Sequence, residues 1–332
     1  MRKLTIGKIR GLQQISTPEG IFIICAMDHR GSLKTMIERE QLDGEVDYQE
    51  LVEHKLELCS ILAPHTSAVL LDPNYGAAQC IAAGVLPGSS GLLVSIEATG
   101  YESAPGGRIT TLLDGWSVEK IKRMGGSAVK MLVYYRPDLT DLASKQSKTI
   151  QMVAEECFRF DIPFLVEPKT YAVSGEDAKS QQFAAQKPRL VIETARQISS
   201  LPIDVLKAEF PADMSYEMNR ASLYQLCQQL DEASEVPWVL LSAGVDYETF
   251  RQEVEIACQA GASGFLGGRA IWQEAVRFGD KKERVEFLST TVVDRLKELA
   301  EIAAKYAIPW YRKLGVEAHK LAEISESWYK GY

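Results

Sequence analysis

The sequence has no apolar run reaching the roughly 18 residues that a membrane-spanning helix requires. Its opening, MRKLTIGKIRGLQQIS, lacks the hydrophobic stretch and small-residue cleavage site of a secretory signal. Histidine is scarce: the four present include no two at metal-ligand spacing, so a protein-held metal is not expected. The six cysteines (Cys25, Cys59, Cys80, Cys157, Cys227 and Cys258) form no CxxC pair and read as reduced, buried side chains of a cytoplasmic protein. A basic block is missing as well. The 37 Lys and Arg against 45 Asp and Glu leave a net charge of −8, which argues against nucleic acid as the main partner. A small anion held by a local group of cations remains compatible with that balance. No GxGxxG follows the first strand-like segment, which removes the main support for a dinucleotide-binding sheet.

What is present is an ordinary globular composition, 46% hydrophobic and 25% charged over 332 residues. Eight apolar, strand-length runs recur along it: Ile21–Met27, Ser67–Leu71, Gly91–Ile96, Ala128–Tyr134, Pro163–Val166, Asp204–Ala208, Trp238–Leu241 and Gly264–Leu266. Segments with helical periodicity separate them, at 47–63, 117–124, 145–160, 187–199, 219–232 and 247–260. Continuous apolar runs without strict alternation suit a parallel sheet buried on both faces. Eight strand–helix units in about 250 residues predict an α/β fold, a closed (β/α)8 TIM barrel. Residues 1–332 are expected to form one barrel domain, with 281–332 as a helical C-terminal extension packed on it. Val285–Tyr306 carries a 3.6-residue pattern there, and with the aromatics Trp310, Tyr311 and Trp328 the tail is expected to pack outside the barrel or at the subunit contact of a homodimer. The polar stretch Ala172–Lys187 is long enough to act as a lid.

In such a barrel the C-terminal strand ends converge on one mouth, where the chemistry sits. Read in order, those ends supply Asp28, Asp72, Glu97, Lys130, Glu167, Lys207, Ser242 with Gly244, and Gly267–Arg269. Within VLKAEFP (205–211), Lys207 stands at the end of an apolar strand-like run, and Lys130 lies within an apolar run. A desolvated amine with a second cation nearby has a lowered pKa and can attack a carbonyl to form a Schiff base. Lys207 is the expected nucleophile, Lys130 the neighbouring positive charge, Glu167 the acid/base and Asp28 a hydroxyl-binding group. Blander readings stand beside these: Lys207 as a surface lysine at a strand end, Lys130 in a structural ion pair, and Asp28 as a helix N-cap. Ser242, Gly244, Gly268 and Arg269 follow the seventh and eighth runs, the usual place for phosphate in these barrels.

The stretches AMDHRGSLKTM (26–36), VKMLVYYRPD (129–138), FLVEPKTY (164–171), LKAEFP (206–211), LLSAGV (240–245) and GFLGGRAIW (264–272) resemble the class I tagatose-1,6-bisphosphate aldolases, the LacD type. The resemblance spans nearly the full chain. It implies metal-independent, cofactor-free cleavage of a sugar bisphosphate to dihydroxyacetone phosphate and glyceraldehyde 3-phosphate, with fructose 1,6-bisphosphate as a further candidate substrate. It also implies Lys207 as the Schiff-base residue, Glu167 as acid/base, Lys130 and Asp28 as support, and Ser242, Gly244, Gly268 and Arg269 around the first phosphate. His29 stands where the family's DQRG motif carries glutamine, so contacts by His29 and Arg30 to the substrate are open. Arg30, Lys34 and Arg136 are the candidates for the distal anion. Two alternatives share the scaffold: an aldolase for 6-deoxy-6-sulfofructose 1-phosphate, and a sugar-phosphate-binding regulatory protein.

Overall fold

The computed structural model describes residues 4–40 and 45–332. Ten strands form: β1 (Phe22–Ala26), β2 (Ala68–Leu71), β3 (Gly91–Ser95), β4 (Glu102–Ala104), β5 (Gly107–Ile109), β6 (Ala128–Tyr134), β7 (Phe164–Lys169), β8 (Val205–Ala208), β9 (Trp238–Leu241) and β10 (Gly264–Gly267). Eight close into a parallel barrel in the order β1-β2-β3-β6-β7-β8-β9-β10, with β10 hydrogen-bonded back to β1. The remaining two, β4 and β5, make an antiparallel hairpin that the sequence reading did not anticipate. It follows β3 and stands at the mouth.

Each barrel strand presents alternate residues to two different cores. Phe22, Ile24 and Ala26 point inward with Ala68, Leu70, Leu93, Ala128, Leu165, Val205, Val239 and Leu266. Their neighbours Ile23, Cys25, Val69, Val94, Val129, Met131, Phe164, Val166, Leu206, Leu240 and Phe265 point outward, against the helices. This two-sided burial is why the strands read as continuous apolar runs. The helix Ile6–Ile15 closes the floor by adding Leu12 and Ile15 to the inner core, and Trp310 joins them from the C-terminal region. Trp310 is thus spent inside its own chain, donating from Nε1 to Ser16 Oγ at 3.3 Å, rather than lying at a subunit contact.

The helices between strands begin where short polar side chains relieve the first free N–H groups. Asp47, Ser117, Ser180, Asn219 and Asp246 each accept from the backbone N–H three residues on. Ser180 caps the helix Gln181–Ser200, so the second half of the expected lid is helical. The remainder is braced: Arg136 donates to Tyr171 O at 2.8 Å and to Glu176 Oε2 at 2.7 Å. The stretch 172–187 is therefore a pinned loop and a helix start. In the tail, Lys281–Phe287 and Val293–Tyr306 flank a π-helical turn at Leu288–Val292, where the Ser289 and Thr290 hydroxyls donate back to carbonyls of the preceding turn. Val293, Leu296, Leu299 and Ala303 bury the inner face of that segment. No helix among the described residues is long and apolar enough to cross a membrane.

Candidate active site

The inward parity of the strands carries upward into the mouth. Counting by two from the inner core places Asp28 above Ala26, Lys130 above Ala128, Glu167 above Leu165, Lys207 above Val205 and Gly268 above Leu266. Apolar layers fill the lower barrel, and the next layer up is charged. These residues line a cavity of about 440 Å³, together with Glu97, Ser242, Gly244 and Arg269. All ten site positions expected from the sequence, including His29 and Arg30, lie on its wall.

Lys130 and Lys207 stand on β6 and β8, one on each side of Glu167 on β7. Glu167 Oε2 contacts both ammonium nitrogens, Lys207 at 2.8 Å and Lys130 at 3.0 Å. Lys130 has two further carboxylates, Asp28 Oδ2 at 2.7 Å and Glu97 Oε1 at 2.7 Å. Asp28 therefore serves this ion cluster and not a helix cap. Burial acts against the ammonium form of Lys130, yet Asp28, Glu167 and Glu97 outweigh it and raise its pKa well above the ordinary lysine value. For Lys207 the balance reverses. Burial lowers its pKa, the Lys130 charge lowers it further, and Glu167 restores only part. Two lysines a strand apart are thus driven in opposite directions by the number of carboxylates each one holds. Glu167 itself, though burial favours its acid form, is held below the usual carboxylate range by Lys130 and Lys207. Asp28 is lowered against its own burial by Lys130, Lys207 and His29.

His29 packs edge-on against Trp272, with ring centroids 5.2 Å apart. Its Nδ1 is buried without a hydrogen-bond partner among the described residues. Burial, aided by Arg269, Lys55 and Lys207, pushes its pKa down to about 3 against the pull of Asp28, so the ring is neutral at ordinary pH. Arg30 is engaged through Glu97 O at 2.9 Å and Asn74 Oδ1 at 3.3 Å.

On the β9–β10 side the backbone approaches the cavity closely. Ala243 and Gly244 both have left-handed φ, 45° and 82°. A Cβ on Gly244 would lie 3.0 Å from Arg269 Nη2, so glycine lets the guanidinium rest against the loop. A Cβ on Gly268 would lie 2.8 Å from His29 Cε1. Gly268 N donates to Ser242 Oγ at 3.3 Å, which ties the two loops together.

Two of the three cations considered for the distal anion are turned elsewhere. Lys34 lies on a half-exposed helix face with Glu38 and Glu45, at 3.6 Å and 2.9 Å. Arg136 is buried between Asp138 and Glu176, at 2.8 Å and 2.7 Å. Neither lines the cavity; Lys169 and Tyr134 do. The sequence reading gave no role to Glu97, Lys169 or Tyr134, although period-two counting from Leu93, Leu165 and Ala128 reaches all three. Among the described residues no group of three or more His, Cys, Asp or Glu is disposed to hold a metal ion. The carboxylates that do meet are turned onto one ammonium.

Residues 22–274 match the family model described as DeoC/LacD family aldolase. The tagatose 1,6-diphosphate aldolase 1 of Enterococcus faecalis is 34% identical over 330 residues, covering 95% of this chain and all of that one (100%). The corresponding protein of Lactococcus lactis is 35% identical, covering 94% and 99%. Among solved structures, a fructose-bisphosphate aldolase from Plasmodium falciparum superposes with a TM-score of 0.71 at 15% identity, covering 92% and 98%. An archaeal fructose-1,6-bisphosphate aldolase, whose catalytic lysine is bound covalently to a carbinolamine, superposes at 0.56 with 19% identity, covering 88% and 98%. At those identities the structural likeness speaks for the barrel alone. The extent of the family match and the near full-length identity to the curated relatives decide the rest: the chain belongs to the DeoC/LacD aldolase family.

Proposed function

We propose that this protein is a class I aldolase that cleaves tagatose 1,6-bisphosphate to dihydroxyacetone phosphate and glyceraldehyde 3-phosphate through a Schiff base on Lys207. Fructose 1,6-bisphosphate is a second substrate on this reading, because the two sugars differ in the configuration of one hydroxyl. The observation that carries the reading is the unequal sharing of carboxylates: three for Lys130 and one for Lys207. Lys207 is therefore the amine that sheds its proton and attacks.

In this mechanism the neutral Lys207 Nζ adds to C2 of the ketose, and loss of water leaves an iminium. Glu167, within hydrogen-bond reach of Lys207, exchanges the protons that carbinolamine dehydration requires. The same carboxylate then takes the C4 hydroxyl proton as the C3–C4 bond breaks. The bonding electrons pass into the iminium, and the aldehyde half leaves. Protonation of the resulting enamine at C3, followed by hydrolysis, releases dihydroxyacetone phosphate and restores Lys207. Lys130 holds Asp28, Glu97 and Glu167 in place and supplies the positive charge that lowers the Lys207 pKa. Gly244, Gly268, Ser242 and Arg269 receive the C1 phosphate, where the close-approaching backbone and the guanidinium offer donors to an anion.

The names of the near full-length relatives support the substrate. They lend nothing to a sulfosugar substrate or to a binding-only protein. The six free, buried cysteines support a cytoplasmic location on this reading.

Borohydride reduction in the presence of dihydroxyacetone phosphate and EDTA, followed by peptide mapping, tests the reading. One reduced adduct on Lys207 is expected. An adduct on Lys130 would exchange the roles of the two lysines, and a folded protein that traps nothing would overturn the Schiff-base assignment.

A further inference from the structure

Three cysteines distant in sequence meet on the outside of the barrel wall: Cys25 on β1, Cys59 on the helix Tyr48–Leu62 and Cys80 on the helix Ala77–Ala82. The thiols of Cys59 and Cys80 hydrogen-bond one another. Each also reaches the backbone beside the other. Cys80 Sγ donates to Lys55 O at 3.8 Å, one turn before Cys59. Cys59 Sγ donates to Val85 O at 4.0 Å, and the N–H of Val85 donates to Cys80 O at 3.1 Å. These reciprocal contacts set the two sulfurs against each other. Cys25 is held differently, locked in the ladder opposite Val69 and Gly267, and burial pushes its thiol up to about 12.

The surroundings make the two partners unequal. The bond from Cys59 and the charge of Lys55 hold the Cys80 thiol below its ordinary value, against burial and Asp72. Cys59 is raised by its bond to Cys80 and by burial. The thiolate is the reactive form, so Cys80 is the sulfur that attacks. Its helix is six residues long and exposed on its outer face at 78 and 81–84, so local opening admits a small oxidant.

We propose that Cys59 and Cys80 form a reversible oxidation site that takes a hydroperoxide and closes to a disulfide. With hydrogen peroxide, the Cys80 thiolate attacks one oxygen, the O–O bond breaks, and the departing hydroxide takes a proton to leave as water. Cys80 is then a sulfenic acid. Cys59 gives up its proton and displaces the sulfenic oxygen, which leaves as a second water, and the S–S bond forms. Two thiols are oxidised and one peroxide is reduced.

Closure has a mechanical reach. The sulfurs must draw in to about 2.0 Å, which pulls the two helices together. Lys55, one turn before Cys59, holds Met27 O, His29 O at 2.6 Å and Asp72 Oδ2 at 2.7 Å. The helix of Cys80 hangs from the same aspartate, with Ala77 N donating to Asp72 O at 2.8 Å. The disulfide therefore strains the brace under the loop that carries Asp28 and His29 into the cavity.

The test treats the reduced protein with hydrogen peroxide, quenches in acid, blocks free thiols and maps the peptides. A protein lighter by two hydrogens, with Cys59 joined to Cys80, is expected, and dithiothreitol should reverse it. In step with the linked fraction, kcat/KM on tagatose 1,6-bisphosphate should fall about tenfold or more and return on reduction, the effect of displacing a site residue by a fraction of an ångström to an ångström. Neither cysteine lines the cavity, so Cys59→Ala should keep the reduced parent's turnover. Without its partner, Cys80 should stop at the sulfenic acid, be captured by dimedone, and leave turnover intact. No disulfide in the parent, or a link through Cys25, overturns the site; that map needs no variant. A linked protein with unchanged kcat/KM, or an equal loss in Cys59→Ala, overturns the coupling to the mouth. Only the turnover arm rests on the aldolase reading: a parent that cleaves nothing would remove that reading and leave the map to decide the site.

Discussion

Two regions of this barrel bury lysines among acids, and they treat them differently. Beside β2, Lys55 is fully enclosed: its Nζ meets Asp72 Oδ2 at 2.7 Å and His29 O at 2.6 Å, and it also donates to Met27 O. Asp72 is equally committed, accepting on Oδ1 from the N–H groups of Asn74 and Tyr75 at 2.9 Å and 2.8 Å. Every polar atom in that group is answered within the protein, and the ammonium braces the loop after β1. At the mouth, Lys207 has one carboxylate that it shares with a competing lysine and opens on a cavity. A buried lysine becomes reactive when its surroundings are left incomplete. Burial alone does not accomplish this, since Lys55 and Lys207 are both enclosed.

The largest expected effect falls on turnover. Lys207→Met should bring cleavage to background, a loss of about 10⁵-fold or more for removal of a covalent nucleophile. Its melting temperature should be no lower than the parent's, because burial of the amine is unfavourable and Glu167 keeps Lys130 as partner. A variant that still cleaves at near-parent rates would break the contrast at its stronger end. At the other lysine the pattern inverts. Lys55→Met strands Asp72 as a buried, unpaired carboxylate, and calorimetry or denaturant titration should show a loss of about 3–5 kcal/mol. Below its melting temperature that variant should still form the dihydroxyacetone phosphate adduct on Lys207. If stability held within error, the two lysines would not differ as described.

An effect confined to the acid range, and absent at neutral pH, concerns His29. Its folded pKa, about 3, lies below the ordinary 6.5, so on acidification the unfolded chain takes up a proton that the folded chain refuses. Stability from this group is therefore present above about pH 6.5 and is lost progressively down to about pH 3. His29→Gln, which keeps a polar side chain but removes the titrating ring, should flatten the fall in melting temperature across that window. The carboxylates Asp28 and Glu167, both lowered by Lys130, would remain to destabilise the variant at still lower pH. A His29→Gln protein with the parent's full acid sensitivity would show that the imidazole is accessible to protons in the folded state.

Much of this arrangement was legible before the structure. Eight apolar runs, and the charged residue at or just inside the end of six of them, suffice to place Asp28, Glu167 and Lys207 at one mouth. What linear reading left open was direction. Lys34 and Arg136 are as basic as Lys169, and only the fold shows that Arg136 turns to Asp138 and Glu176. The β4–β5 hairpin was invisible for another reason. Its strands are three residues each, half-exposed and without an apolar pattern, held by packing of Tyr101, Arg108 and Tyr171 that joins positions far apart in sequence. Trp310 misled in the same way: an aromatic near the end of a chain looks like a contact residue until the open floor of a barrel is seen to need one.

The seam between β1 and β10 has a consequence for how the protein is made. Phe22 is in register with Gly264, and a Cβ at that glycine would lie 2.0 Å from Phe22 O, so the two strands meet only because a side chain is missing there. Asp28 comes from one side of the seam, and Gly268 and Arg269 come from the other. During synthesis the ribosome delivers Lys130, Glu167 and Lys207 well before Gly268 and Arg269, and the ring cannot zip shut until its eighth strand emerges. This is a contact of very high sequence separation, which folds late. Until then Asp28 and Arg269 have no common wall, and the cavity that both line takes shape only when the seam closes.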